Sequence, residues 1–187
     1  MKSKSWLIGI GILVVLVLWS IGSYNRFVNL KENATTQWAQ VETVYQRRFD
    51  LIPNLVNSVK GIMNQEKEVF TALADARTKY GGAATVEEKQ AATEQVNSAL
   101  SRLLVVVENY PQLRSSESVQ TLMAQLEGTE NRISVERNRY NDIVKEYNVA
   151  VKRFPGVIMA KIFGYDAMNL FAATEGAETA PVVNFEN

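Results

Sequence analysis

The feature that most constrains the fold is an uncharged apolar run near the start of the sequence, SWLIGIGILVVLVLWSIGSYN, residues 5–25. As a helix it is about 31 Å long, which is enough to cross the hydrocarbon core of a bilayer. Aromatic residues, which favour the membrane–water interface, stand near both ends. The run therefore predicts a membrane anchor over residues 1–25, with the marker residues Trp6, Leu13, Val17, Trp19 and Tyr24.

A cleaved signal peptide is the alternative interpretation of this run. Lys2 and Lys4 form a basic start, and Ser20 and Gly22 are small residues that suit a cut after Gly22. The uncharged run is long for the apolar part of a signal peptide, which favours the anchor.

The charges on either side of the apolar run indicate how the chain is oriented across the membrane. Lys2, Lys4 and the terminal amine lie before the run, and Arg26 and Lys31 follow it. By a narrow margin the positive-inside rule favours a single-pass protein with its N-terminus inside and the bulk of the chain outside.

The composition excludes several classes of chemistry. No Cys or His occurs among the 187 residues, so thiolate nucleophiles, Cys/His zinc sites and imidazole bases are excluded. Twenty basic residues balance 20 acidic ones, which gives no basic excess for nucleic-acid binding. We expect a non-enzymatic protein with no cofactor, because no complete set of catalytic groups is recognisable.

Apolar residues recur at helical spacing through residues 26–155, which predicts an all-α, antiparallel up-down bundle of long helices. One apolar seam begins at Trp38 and keeps its phase across Pro53. We interpret it as one long helix that reaches about Tyr80 and is kinked near Pro53. A helix end before Pro53, with Asp50 capping a new helix, is the alternative.

Further helices follow. Thr85 and Glu88 have the spacing of a capping box and open a second helix, which Pro111 stops. A third begins after the serines at 115–116 and runs to Phe154.

Residues 156–187 predict a short helix over 157–163 that ends at Gly164, followed by an irregular tail. Phe171 and Phe185 are candidate anchors for that tail. Residues 181–185 predict a short extended segment, which lies on its own bundle or on a neighbouring copy.

Two Tyr-Asn pairs, Tyr140-Asn141 and Tyr147-Asn148, repeat seven residues apart. The tyrosines occupy successive seam positions of the third helix and the asparagines flank them. A buried tyrosine ring can still reach a polar partner at the edge of a bundle. We expect a packing role, and ligand binding is the alternative.

A few polar residues interrupt the seams. Arg48 has Glu66 and Glu136 as candidate ion-pair partners, and Asp50 and Asn54 lie beside the predicted kink. Buried polar residues of this kind fix helix register at some cost in stability.

Four stretches together resemble the LemA family: RRFDLIPNLVNSVKG (47–61), LEGTENRISVERNRYNDIVKEYNVAVKRFP (126–155), AKIFGY (160–165) and PVVNF (181–185). The resemblance implies a membrane-anchored antiparallel helical bundle of bacterial type, without known enzymatic activity or cofactor. It also implies envelope-stress partners such as membrane proteases.

The hexapeptide EGTENR places Gly128 inside a helix, where glycine costs about 1 kcal/mol relative to alanine. A close helix–helix or subunit contact, flanked by Glu130, Asn131 and Arg132, would offset that cost. A solvated helix face is the alternative.

The leading functional hypothesis is a self-assembling envelope scaffold, a homo-oligomer formed through the bundle and the anchor in the lipid bilayer. Apolar residues outside the main seam, as surfaces for partners, support it: Val44, Phe49, Leu51, Val56 and Phe70. An adaptor for another membrane protein, such as a protease or a transporter, is the second hypothesis. The third is a ligand-binding protein that uses Asp50, Asn54, Glu130, Tyr140 or Tyr147.

Overall fold

The computed structural model describes residues 2–61 and 67–171, with side chains from Trp6 onward. These residues form helices and connecting segments without a strand, which confirms the predicted all-α class. The helices are α1 (Lys2–Lys60), α2 (Lys67–Gly82), α3 (Val86–Glu108), α4 (Pro111–Arg114), α5 (Glu117–Lys152) and α6 (Gly156–Phe163).

Helix α1 continues without interruption for 59 residues, which is a length of about 89 Å. Residues 6–18 are exposed around the whole helix, and Phe27 is the first buried side chain after them. The predicted boundary between residues 25 and 26 therefore falls inside one continuous helix that joins the apolar run to the bundle.

The predicted single helix from before Trp38 to Tyr80 is wrong. In one straight helix Tyr80 would lie about 47 Å from Phe49, whereas their ring centroids are 4.3 Å apart. Helix α2 therefore returns alongside α1 in the opposite direction. Both helices bury apolar residues in the same core.

Helix α1 also passes through Pro53, so the alternative of a helix end there, with Asp50 as a new cap, is wrong. A proline inside a helix removes one hydrogen bond and crowds the preceding turn. Ile52 and Leu55, on either side, are buried, and packing of this kind sustains helices against poor local propensity.

Four helices build the antiparallel bundle. Helix α5 packs against α1, where Gln37 Nε2 donates to Glu136 Oε2 at 2.7 Å. Helix α2 packs against α3, where Lys79 Nζ donates to Gln95 Oε1 at 2.9 Å. The largest fully buried side chains of this core include Tyr45, Leu55, Leu73, Leu103, Leu113, Ile133 and Tyr140.

The caps follow local sequence. The predicted capping box is confirmed, since Glu88 N donates to Thr85 Oγ1 at 3.1 Å and Thr85 N donates to the Glu88 carboxylate at 3.2 Å. Gly164 ends α6 as predicted, with a φ of 71° that glycine adopts without a Cβ clash. Pro111 begins the short helix α4, and Ser116 occupies the N-cap position of α5.

The apolar residues outside the first seam are largely used by the chain itself. Phe49 is buried, and Val44, Leu51, Val56 and Phe70 pack partly buried against the core. Phe49 is therefore not available to a partner, and the expectation that the other four side chains supply surfaces for partners stays a prediction.

Candidate functional site

The two Tyr-Asn pairs of α5 bind the segment that follows α6. We call this segment, residues 165–171, the strap; it has no helical structure. Met168 of the strap lies at Asn148, and Phe171 lies at Asn141. Seven residues of helix rise about 10.5 Å, a distance that three residues cover only when nearly extended. The strap therefore runs extended and antiparallel to α5.

Each asparagine side chain pairs with both main-chain groups of one strap residue. Asn148 Oδ1 accepts from Met168 N, and Asn148 Nδ2 donates to Met168 O, both at 2.8 Å. Asn141 does the same for Phe171, at 2.8 and 3.2 Å. An amide with one acceptor and a donor pair reproduces the hydrogen bonding of a neighbouring β-strand.

The tyrosines of the same pairs bind strap carbonyls from buried rings. Tyr147 Oη donates to Asp166 O at 2.7 Å, and Tyr140 Oη donates to Asn169 O at 3.5 Å. Both residues are 1% exposed. Burial raises the pKa of both hydroxyls above the usual value, so they remain neutral donors. We call the four side chains the Tyr-Asn clamp.

Phe171 closes the strap onto the bundle. Its ring stacks on Trp38 at 5.5 Å between centroids and meets Tyr140 at 5.4 Å, while the Arg137 guanidinium lies 4.5 Å from its centroid. The tail is thus anchored on its own bundle at Phe171. Phe185, the other candidate anchor, and the segment 181–185 lie outside the described residues.

The clamp residues stand out in the sequence, but the segment that they bind was not predicted. Asn141 and Asn148 were expected only to flank a tyrosine seam. The seven-residue period was the available signal for an extended segment, since the rise of seven helical residues equals the length of three extended residues.

Arg48 is buried between α1, α3 and α5. Its Nη1 donates to Asn97 Oδ1 at 2.8 Å and forms an ion pair with Glu130. The side chain of Arg48 is 8% exposed and that of Glu130 is 48% exposed. The suggested pairing with Glu136 is wrong, because Glu136 binds other side chains; Glu66 lies outside the described residues.

Asp50 and Asn54 lie apart from this ion pair. They line an open cleft of about 920 Å³ that Tyr80 and Lys89 also border. Asp50 accepts a hydrogen bond from Gln46 at 2.8 Å. The residues of the ligand-binding hypothesis are therefore not gathered in one place: some line this cleft, Glu130 pairs with Arg48, and the tyrosines hold the strap.

Gly128 is exposed, and no described atom outside its own helix turn lies within 4 Å of a Cβ placed there. The close approach of another helix of the same chain, suggested by the sequence, is therefore not found. Asn131 and Arg132 are exposed as well. A subunit contact or a solvated face accounts for this signature.

Within residues 6–61 and 67–171, no three acidic side chains come close enough to hold a metal ion. The clamp hydroxyls and amides bind main-chain groups, so this site is suited to holding an extended polypeptide.

The fold defines a membrane-associated helical-bundle protein, with one described helix long and apolar enough to cross a membrane. The LemA family model matches residues 37–185, and the chain belongs to this family. The chain is 26% identical to the magnetosome protein MamQ of Magnetospirillum gryphiswaldense, over 91% of this chain and 72% of that protein. Magnetosome proteins MamQ 1 and MamQ 2 of Paramagnetospirillum magneticum are 25% identical with the same coverage.

Proposed function

We propose that this protein is a non-enzymatic, single-pass scaffold of the bacterial cell envelope whose bundles self-associate through α5. The observation that carries the proposal is the exposed glycine at 128. A glycine inside a helix costs about 1 kcal/mol relative to alanine. The described part of the chain does not use the space beside Gly128, whereas a second copy could approach closely there.

The neighbours of Gly128 supply polar groups for such a contact. Asn131 and Arg132 are exposed, and Glu130 is about half exposed while it pairs with Arg48. A close backbone approach rimmed by amide and charged groups is suited to a specific contact between copies.

The continuous helix α1 supports self-association in a second way. It joins the apolar run directly to the bundle, so a membrane would hold all copies in one common orientation. Anchoring raises the effective concentration of each bundle around its neighbours, which strengthens a weak contact without new interactions.

The mass of the full chain in mild detergent tests the proposal. We expect a discrete homo-oligomer, and a chain that starts at Arg26 shows how much the anchor contributes. Gly128→Ala is expected to weaken the oligomer while it raises the free energy of unfolding by about 1 kcal/mol. Gln125→Ala, at an exposed position one turn earlier, is the control. A monomer at every concentration would contradict the proposal.

An adaptor for another membrane protein, such as a protease or a transporter, is the second candidate function. An apolar cleft of about 560 Å³ favours it, lined by Leu100, Leu104, Met123 and Leu126. Such a cleft suits the apolar side chains of a partner. Purification of the full chain distinguishes the two functions: a foreign protein in stoichiometric amount supports the adaptor, and copies of this chain alone support the scaffold.

We further propose that the protein lies in the inner membrane with the bundle on the periplasmic side. Lys2 and Lys4, before the apolar run, support this orientation. The chain has no cysteine, so a Val135→Cys variant carries one exposed thiol on the bundle. Labelling by a membrane-impermeant maleimide in spheroplasts is the expected result. Labelling only after lysis would reverse the orientation.

A further inference from the structure

Helix α6 is held beside the end of the apolar run. The ring of Phe163 lies 5.1 Å from that of Tyr24, and Tyr165 lies 5.4 Å from Phe27. Ala160, on the inner face of α6, is buried in this contact. The helix is therefore placed at the level of α1 where the bundle begins.

The outer side of this region presents a ridge of large apolar side chains. Phe154, Ile158 and Ile162 follow one another at a spacing of four residues, and all three are exposed. Residues four apart on a helix share one face, so Ile158 and Ile162 point the same way. No described part of the chain covers this ridge.

The hydrocarbon core of a bilayer is thick enough to reach the level of this ridge. Residues 6–18 are bare on all sides, but they are only about 20 Å long, against a hydrocarbon core of about 30 Å. A membrane crossed by α1 therefore extends over the next two turns. At that level Trp19 and Ser23 line a cleft together with Arg153 and Phe154.

The charged residues closest to the ridge are mostly basic, although Glu32 and Asp166 directly follow the two stretches considered. Residues 19–31 of α1 and residues 149–165 contain no Asp or Glu, and they contain five cations: Arg26, Lys31, Lys152, Arg153 and Lys161. Basic residues held at the surface of a membrane attract anionic phospholipid headgroups. We call residues 19–31 and 149–165 together the collar.

We propose that the collar is a second membrane contact of this protein, separate from the span of α1. The ridge of α6 enters the interfacial layer of the bilayer, and the cations of the collar bind anionic phospholipid headgroups. The combination of an apolar face with flanking Lys and Arg is typical of helices that lie in the membrane interface. The inference requires the span of α1 and is independent of self-association.

This contact would set the tilt of the bundle relative to the membrane, because α6 packs on both α1 and α5. It would also bring the start of the strap, at Tyr165, to the headgroup layer. The Tyr-Asn clamp would then hold a chain that leaves directly from the membrane surface.

Two single-cysteine variants of the full chain test the proposal. Ile162→Cys lies in the ridge, and Val105→Cys lies toward the far end of α3; the native side chains are similarly exposed, at 64% and 60%. Helix α3 runs beside α1 away from the apolar run, since Lys89 pairs with Glu42 and Asn97 with Arg48. Each thiol is labelled with an environment-sensitive fluorophore in vesicles of phosphatidylcholine and phosphatidylglycerol.

Doxyl-labelled lipid is expected to quench the label at position 162 at least about three times as strongly as the label at position 105. Quenching at 162 should fall when phosphatidylglycerol is omitted, and also in the Arg153→Gln/Lys161→Gln background. Equal quenching at 162 and 105 would overturn the membrane contact. Quenching at 162 that is equal with and without phosphatidylglycerol would overturn the headgroup contact. A blue-shifted label that lipid does not quench would place protein against the ridge and overturn the proposal.

Discussion

Asn141 holds Phe171 through both main-chain groups of that residue, with hydrogen bonds of 2.8 and 3.2 Å. The same arrangement recurs one heptad later, between Asn148 and Met168. Seven residues of α5 thus match three residues of extended strap, so the heptad repeat of the sequence sets the register of the strap on the bundle.

Asn141→Ala is expected to release the end of the strap. The substitution leaves the N–H and C=O of Phe171 without their partners, which costs about 1–3 kcal/mol. Because 1.4 kcal/mol is a factor of ten in an equilibrium, amide exchange at residues 169–171 should accelerate by about fivefold to a hundredfold. Hydrogen exchange read by mass spectrometry measures this, and α5 should exchange as before.

Asn138→Ala is the matched control, since Asn138 is exposed on the same helix. It should leave exchange in the strap unchanged. Equal protection of Phe171 in the Asn141→Ala and Asn138→Ala variants would show that the aromatic contacts alone hold the strap.

The parts that sequence could predict are those set by local chemistry. The capping box at Thr85, the end of α6 at Gly164 and the long apolar helix all follow from residues close in sequence. The return of α2 was missed because the apolar phase continues from α1 into α2, and a seam reports which face is buried but not whether the chain has reversed. The partners of Arg48 were missed because α3 supplies Asn97 and α5 supplies Glu130.

Glu130→Gln is expected to destabilise the bundle by about 1–2 kcal/mol. It leaves the buried charge of Arg48 without its counter-ion, and the half-exposed position of Glu130 limits the loss. Glu127→Gln is the control, because Glu127 is exposed and lines the same cleft of about 560 Å³ as Glu130. It should change the free energy of unfolding by less than about 0.5 kcal/mol. Thermal unfolding followed by circular dichroism compares the two; equal losses would mean that the ion pair contributes nothing specific.

Pro53→Ala is expected to stabilise α1. Alanine restores a backbone donor toward the carbonyl of Phe49 and removes the crowding by the proline ring, a local gain of up to about 3 kcal/mol. The melting temperature and the mass in detergent are measured together. Loss of the oligomer with retained helicity would assign Pro53 a role in assembly, and a lower melting temperature would contradict the expected gain.

Alkaline pH is expected to unfold the bundle. Burial raises the pKa of Tyr45, Tyr80 and Tyr140 in the folded chain, whereas tyrosine in an unfolded chain titrates near pH 10. The unfolded state therefore loses protons first, so the contribution of these tyrosines to stability is constant below about pH 10 and falls above it. Tyrosinate absorbance and helicity should change together; titration of these tyrosines near pH 10 with intact helices would contradict this.

Self-association of the anchored bundles can be measured by energy transfer between copies in a lipid bilayer. Full-length Val135→Cys chains carrying donor or acceptor dyes are reconstituted together at increasing ratios of lipid to protein. We predict that transfer persists on dilution with lipid and weakens in the Gly128→Ala background. Transfer that falls on dilution to the value for randomly placed monomers, with or without the substitution, would contradict it.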